Sequence, residues 1–545
     1  MDAETDSYRY AIKNAYLHEG KADLSAVVGK IKALDKNADL KKLMPVISEA
    51  VKKVNAMGFA EIENEYRRFE GGYELKQPGK KEGLPDVGLE NIVTRFAPNP
   101  NGPFHLGNAR AAILSDEYAK NGGKFLLRFD DTDPKVKKPI KNAKEVFMQD
   151  LEWLNCSVAQ VFFASDRLEM YYSFMEKAIK LGGAYVCTCE TEKWKKLTVK
   201  KKACPCRDRS PQEHIKLFEE MVSHKLKEGS AVLRIKTDIA HPDPSVRDWW
   251  AAKIVDRPEH PNPNAKNRHV WPSYNFASAI DDHELGTTLI IRGQEHEQNK
   301  TKQEFLYTYF GWVYPKAFHF GRVKLEDMVL STSKIKAGIE AGIYTGWDDI
   351  NLGTIRALRR RGFQPKTLRD IILEIGVKPS DTTIEFAKLA DLNRKNLVGK
   401  FSSIEFIEDP AALEVGFCPK ITLEDGTMLS EGTQRFVVPK KEIEKAKTGS
   451  IIRLKHAYNV KINEKNEFGA VAEFVGTQKI DVPIVAWLLE TRDLEVVMPK
   501  KQKSFGAIDA GLNLKEGEIV YLERFGYARI DEVGEKRVIA WFAHK

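Results

Sequence analysis

The segment FAPNPNGPFHLGN (96–108) joins an apolar run at 92–97 to a helix expected to begin near Asn108. Gly102 and Gly107 permit close backbone approach, Pro98, Pro100 and Pro103 stiffen the turn, and His105 can donate a hydrogen bond to a phosphate oxygen. Backbone N–H groups and a positive helix end aimed at one spot attract an anion. The loop has neither P-loop nor G-x-G-x-x-G spacing, and taken alone it serves equally as a Pro/Gly turn carrying an exposed histidine. Asp130 and Asp131, in LRFDDTDP, suit an amine or hydroxyl of a ligand; the other use of such a string is an Asx turn and helix cap, which fits Thr132 and Asp133. Cys187, Cys189, Cys204 and Cys206 form two C-x-C pairs, whose four thiolates can close a tetrahedral zinc and leave no open position for catalysis. The alternative is a set of reduced cysteines left from a lost site. Cys156 and Cys418 are isolated and read as core residues.

These residues need elements to hold them. From Ile92 the pattern runs strand, loop, helix, strand, a βαβ unit with the anion loop at its first turn and Asp130 at the same carboxyl edge, implying a parallel doubly wound sheet. Between about 185 and 270 the rhythm lapses into the cysteine pairs, with a basic loop between them, then a helix (SPQEHIKLFEEMVSHKL) and a strand (AVLRIKTD), which reads as an inserted domain. The sheet resumes at YNFASAIDDHELGTTLIIRG (274–293). Residues 1 to about 75 are helical by apolar spacing, and the polar, Gly-rich stretch 70–91 reads as a linker. After helices near 356–400, short alternating strands fill the tail and argue for β-barrels.

The chain has 545 residues, room for several domains, and a net charge of +8 from 86 basic and 78 acidic residues. Its basic clusters, at 135–144, 195–202, 356–361 and 499–503, each fit a solvated face, while their spread suits a folded RNA touched at several places. No stretch approaches the ~20 apolar residues of a membrane span and the start, MDAETDSYRY, is not a signal peptide, so a cytoplasmic protein is expected.

Four features in this order, HLGN after the first strand, LRFDDTDP, YNFASAIDDHELGTTLIIRG and VLSTSK (329–334), resemble the class I aminoacyl-tRNA synthetases of the glutamyl and glutaminyl group, archaeal or eukaryotic-like branch. The resemblance implies a multidomain α/β + β chain. Its parts are a helical N-terminal extension and linker (1–90), a Rossmann-type catalytic domain in two halves (91–184 and 271–350), an inserted acceptor-stem domain with a structural zinc site (185–270), a helical connecting domain (351–400) and anticodon-binding β-barrels (401–545). It implies that ATP with Mg2+ activates glutamate to the adenylate, and that glutamate passes to the 3′ end of tRNA(Glu), with tRNA(Gln) open as a second acceptor.

By the same resemblance His105 and Gly107 face the ATP phosphates, with Asn108 where a histidine usually closes the motif. Lys334 stabilises the leaving pyrophosphate, Ser331 and Ser333 support its mobile loop, Thr332 stands where a lysine is common, and Arg322 contacts ATP. For the substrate, Arg95 and Arg292 meet the glutamate carboxylate, Tyr274 adds a hydroxyl, Asp130 holds the ammonium and Asn99 is a secondary contact. Glutamine would then leave two buried guanidiniums without a counter-charge. Two rivals stand beside this reading: a glutaminyl-tRNA synthetase, disfavoured by Arg292, and a tRNA-binding paralogue without catalysis, motivated by Asn108 and Thr332. The N-terminal helices could dock a protein partner, contact tRNA or extend the scaffold.

Overall fold

The computed structural model describes residues 3–17, 20–34, 39–69, 84–424 and 426–545. Two compact units divide at residues 83 and 84.

In the first, helices Ala3–Leu17, Leu24–Leu34, Leu40–Asn55 and Phe59–Phe69 enclose their own core. Leu43, Ile47, Val51 and Val54 recur at helical spacing and face Ile12, Val27 and Ile31 across it. Asn55 fastens the turn before the second helix, accepting from Ala22 N and donating to Ala22 O.

The second unit is built on a five-stranded parallel sheet: β1 (Val93–Phe96), β2 (Lys124–Phe129), β3 (Val158–Phe163), β4 (Leu289–Gly293) and β5 (Lys316–Phe320). Its spatial order is β3-β2-β1-β4-β5, so the direction of winding reverses between β1 and β4. In open α/β sheets ligands bind at the carboxyl ends of the strands beside that reversal. The strands are apolar runs because helices cover both faces, and Phe104, Leu106, Ile113, Phe147, Leu289 and Ile291 are among the buried residues of that core. The helix after β1 starts at Leu106, two residues earlier than expected, because His105 caps it.

Of the stretch expected as linker, 70–83 lies outside the described residues. Residues 84–91 lie against the sheet instead: Val87 is buried, its carbonyl accepts from Lys316 Nζ at 2.9 Å, and that of Pro85 accepts from Tyr118 at 3.0 Å.

The insertion is a four-stranded antiparallel sheet, Ala184–Cys187, Val232–Ile235, Trp250–Ile254 and Val270–Pro272, and its basic loop contains a helix, Thr191–Val199. Helices Ile355–Arg361, Pro365–Ile375 and Phe386–Leu397 follow the catalytic sheet. Among the described residues the β tail takes the form of two larger sheets, each over its own core, and a two-stranded ribbon of Ile421–Thr422 with Met428–Leu429. The six-stranded one (410–485) is nested within the seven-stranded one, which begins with Ser402–Ile404 and Ile407–Glu408 and is completed only after residue 490.

Candidate active site

The carboxyl ends of β1 and β4 carry Arg95 and Arg292, each about nineteen-twentieths or more buried. Their surroundings differ in one respect that decides their chemistry. Arg95 donates from Nε to Asp282 Oδ1 at 2.8 Å and from Nη2 to Oδ2 at 3.2 Å. Burial opposes its charge, but Asp282 more than offsets this and holds the guanidinium protonated. The expectation of two guanidiniums without a counter-charge therefore needs correction, since one is already neutralised by an acid on the helix Tyr274–Glu284.

Arg292 is held only by neutral groups. Nε donates to His319 Nε2 at 3.2 Å, Nη1 to Gln303 Oε1 at 3.2 Å and toward Tyr274 OH at 3.5 Å, and Nη2 to Tyr314 OH at 3.0 Å. Burial, with Arg292 adding to it, holds His319 down at about 4, and His296 likewise. Both imidazoles are thus neutral at pH 7, and His319 can accept from the arginine. Among the described residues no carboxylate forms an ion pair with Arg292. A buried cation without a counter-charge is costly, so an anion placed here would be favoured.

At the end of β2, the Asp130 amide donates to Pro98 O at 2.8 Å, and Asn99 Nδ2 donates to Asp130 O at 3.0 Å, tying this acid to the loop after β1. Asn99 so placed braces two strand ends. Asp130 Oδ1 is buried with no hydrogen-bond partner, and Arg128 stands 3.6 Å away. Burial lifts its carboxyl to about 6 in spite of Arg128. Asp131 turns the other way, accepting from Ser165 N and Oγ at 2.8 and 2.6 Å, and Asp133 makes an Asx turn with Lys135 and Val136.

His105 is an N-cap whose Nδ1 accepts from Gly107 N at 3.1 Å, while its own amide donates to Asn108 Oδ1 at 2.8 Å. The first-turn amides are therefore satisfied within the protein: Leu106 N donates to Gly353 O at 3.0 Å and Asn108 N to His105 O at 3.1 Å. This corrects the picture of a free backbone cradle; the donors left toward solvent are His105 Nε2 and Asn108 Nδ2. Burial lowers His105 to about 4, so the ring is neutral, with Nδ1 accepting and Nε2 carrying the proton. A Cβ on Gly107 would stand 3.0 Å from the His105 ring, tight against the side chain that caps the helix.

The second loop adjoins the first. A Cβ on Gly102 would meet Thr332 Cγ2 and Trp347 at 3.0 Å. Gly353 joins both loops, donating to Val329 O at 3.1 Å and accepting from Leu106, and Ile355 N reaches Phe104 O at 3.2 Å. Ser331 caps the helix Thr332–Glu340 without a side-chain bond, and Ser333 and Lys334 are exposed in its first turn. Exposed Arg322 follows Gly321, whose carbonyl is held by buried Arg110 Nη1 at 2.7 Å. Sequence reasoning missed Asp282, Gln303, Tyr314, His319 and Gly353. The one signal available was an acidic pair inside the apolar helix pattern of FASAIDDHE.

The cysteine pairs meet in the insertion. Cys187 and Cys204 Sγ are 3.7 Å apart, Cys189 and Cys206 3.6 Å, and all four sulfurs lie within 4.8 Å of one another, none in a disulfide. A regular tetrahedron with Zn–S of about 2.3 Å has edges of about 3.8 Å, so the quartet fits that ion. Hydrogen bonding from Cys187 holds Cys204 below the ordinary thiol range despite burial. No helix among the described residues is long and apolar enough to cross a membrane.

The family model of the catalytic domain of class I tRNA synthetases (E and Q) matches residues 91–398. The glutamate–tRNA ligase of Thermococcus kodakarensis is 45% identical, with 98% of each chain covered. That of Pyrococcus abyssi is 45% identical over 100% of both. A solved glutamate tRNA ligase from Elizabethkingia meningosepticum matches with a TM-score of 0.41 at 21% identity, over 56% of this chain and 70% of that one. With the two loops, the sheet that carries them and relatives alike over their whole length, the chain belongs to the class I tRNA synthetases of the E and Q group.

Proposed function

We propose that this chain is a glutamate–tRNA ligase, and the observation that carries it is Arg292, a buried guanidinium with only neutral partners at the carboxyl edge of the sheet. Full-length relatives bearing that activity support the reading. The glutamate side-chain carboxylate pairs with Arg292 and accepts from Tyr274, while Asp130 takes the ammonium. The α-carboxylate oxygen then attacks the α-phosphorus of ATP; that O–P bond forms, the bond to pyrophosphate breaks, and glutamyl-adenylate results. The 3′-terminal hydroxyl of tRNA attacks the activated carbonyl, and AMP leaves.

Such chemistry needs position and charge neutralisation more than proton transfer. His105 Nε2 and Asn108 Nδ2 donate to phosphate oxygens. Lys334 and Arg322, exposed and without ion pairs among the described residues, meet the leaving pyrophosphate and ATP. Gly107 and Ser331 shape the two loops, and Ser333 supports the second. ATP brings Mg2+, which neutralises phosphate charge. Cys187, Cys189, Cys204 and Cys206 would hold a zinc whose part is to fix the fold of the insertion. The acceptor tRNA(Glu) meets the insertion and the β tail, and charging of a panel of glutamate and glutamine tRNAs decides whether tRNA(Gln) is accepted beside it.

Glutamate-dependent exchange of pyrophosphate into ATP, with tRNA present, tests the proposal. Exchange with glutamate and not glutamine is expected. Binding of tRNA with no exchange would make the chain a paralogue without catalysis.

A further inference from the structure

Gln303 lies on the helix Glu297–Phe310 and is wholly buried. Its Oε1 accepts from Arg292 Nη1 at 3.2 Å and from Tyr314 OH at 2.7 Å, and its Nε2 donates to Asn275 O at 3.4 Å. Tyr314 OH in turn accepts from Arg292 Nη2. An amide oxygen orients a guanidinium without cancelling its charge. A carboxylate at the same reach would cancel it, as Asp282 does for Arg95. One pocket thus contains both arrangements: an arginine neutralised by an acid and an arginine clamped by an amide, a phenol and an imidazole.

We propose that Gln303 is a specificity-determining positioning residue: by clamping Arg292 through a neutral oxygen, it reserves that cation for the carboxylate of the incoming side chain. This rests on Arg292 as the glutamate contact. Glutamine carries no charge to exploit the reserved cation, so selectivity between the two acids depends on position 303 staying uncharged. The same reasoning requires that a counter-charge relieve the free protein. Supplying one should stabilise the fold while weakening the substrate, an opposition that a packing role does not produce.

The test compares Gln303→Glu and Gln303→Met with wild type in the full chain, measuring kcat and KM for glutamate and glutamine in tRNA charging, and the melting temperature. For Gln303→Glu the expected result is a rise of about 100-fold in KM for glutamate with kcat little changed. Glutamine should change less than about tenfold, and the melting temperature should be equal or higher. Gln303→Met, uncharged, should keep the preference for glutamate to within about tenfold. Retention of wild-type selectivity by Gln303→Glu overturns the proposal. So does a Gln303→Glu chain that melts lower or fails to fold, or an equal loss of selectivity in Gln303→Met. Wild type that charges no glutamate overturns the function itself; normal wild-type charging with unaltered selectivity in Gln303→Glu overturns only the role of Gln303.

Discussion

In the function proposed above, Asp130 meets the ammonium of glutamate and Arg292 its side-chain carboxylate. Asp130 titrates near 6 because burial disfavours its anion. An ammonium ligand favours the anion, so binding requires a proton to leave whenever the pH is below that value. The KM for glutamate should therefore be level above pH 7 and rise about tenfold per unit below about pH 6. Steady-state kinetics between pH 5 and 8 check this, and Asp130→Asn should abolish the dependence while raising KM throughout. His105, near 4, should contribute no inflection in that range. Arg292 could be singled out only through the resemblance, since by residue type and place alone it reads as any strand-end surface arginine. The pairing of Arg95 with Asp282 was not legible, since it spans 187 residues and depends on which way a helix faces the sheet.

At the level of elements, the parallel sheet was readable because its apolar strands alternate with helices and end in polar loops. The clasp around Gly353 was not readable, because its bonds are made by backbone atoms whose partners lie far away in the chain. A Cβ on Gly353 would stand 2.2 Å from Leu330 Cδ2, pushing on the loop that carries Lys334. A displacement of about 1 Å at a reacting group can cost about 100-fold in rate. Gly353→Ala should lower kcat by about that factor with little change in the glutamate KM, as read in pyrophosphate exchange. The cysteine quartet was legible in spacing alone, while the helix Thr191–Val199 between its pairs was hidden by a lysine-rich composition. Metal analysis should find one zinc per chain in wild type and none in Cys204→Ser. Hydrogen exchange in that variant should quicken across 187–206 and leave β1 to β5 protected.

Across the whole molecule, the helices after the catalytic sheet join it to the β tail through arginines. Arg361, wholly buried, donates to the carbonyls of Ala543 at 2.7 Å and Phe542 at 3.1 Å, and Arg360 grips Asp531 with two bonds and stacks 3.8 Å over Trp541. As a sequence, RALRRR fitted a solvated basic face; Arg361 is instead an interior fastener and Arg360 a partly buried one, because packing of the last strands supplies partners that no local pattern reveals. The nested order of the two β sheets was hidden for the same reason, since short strands announce themselves but not their partners. At the carboxyl edge of the sheet Arg292 keeps a charge that no carboxylate among the described residues cancels, and the proposed function turns on it. The most direct test is charging of purified glutamate and glutamine tRNAs with labelled glutamate or glutamine by wild type and Arg292→Cys. Wild type should charge glutamate and not glutamine, and the variant should lose at least about 100-fold in kcat/KM for glutamate. Charging of glutamine by wild type, or full glutamate activity in Arg292→Cys, would contradict the account.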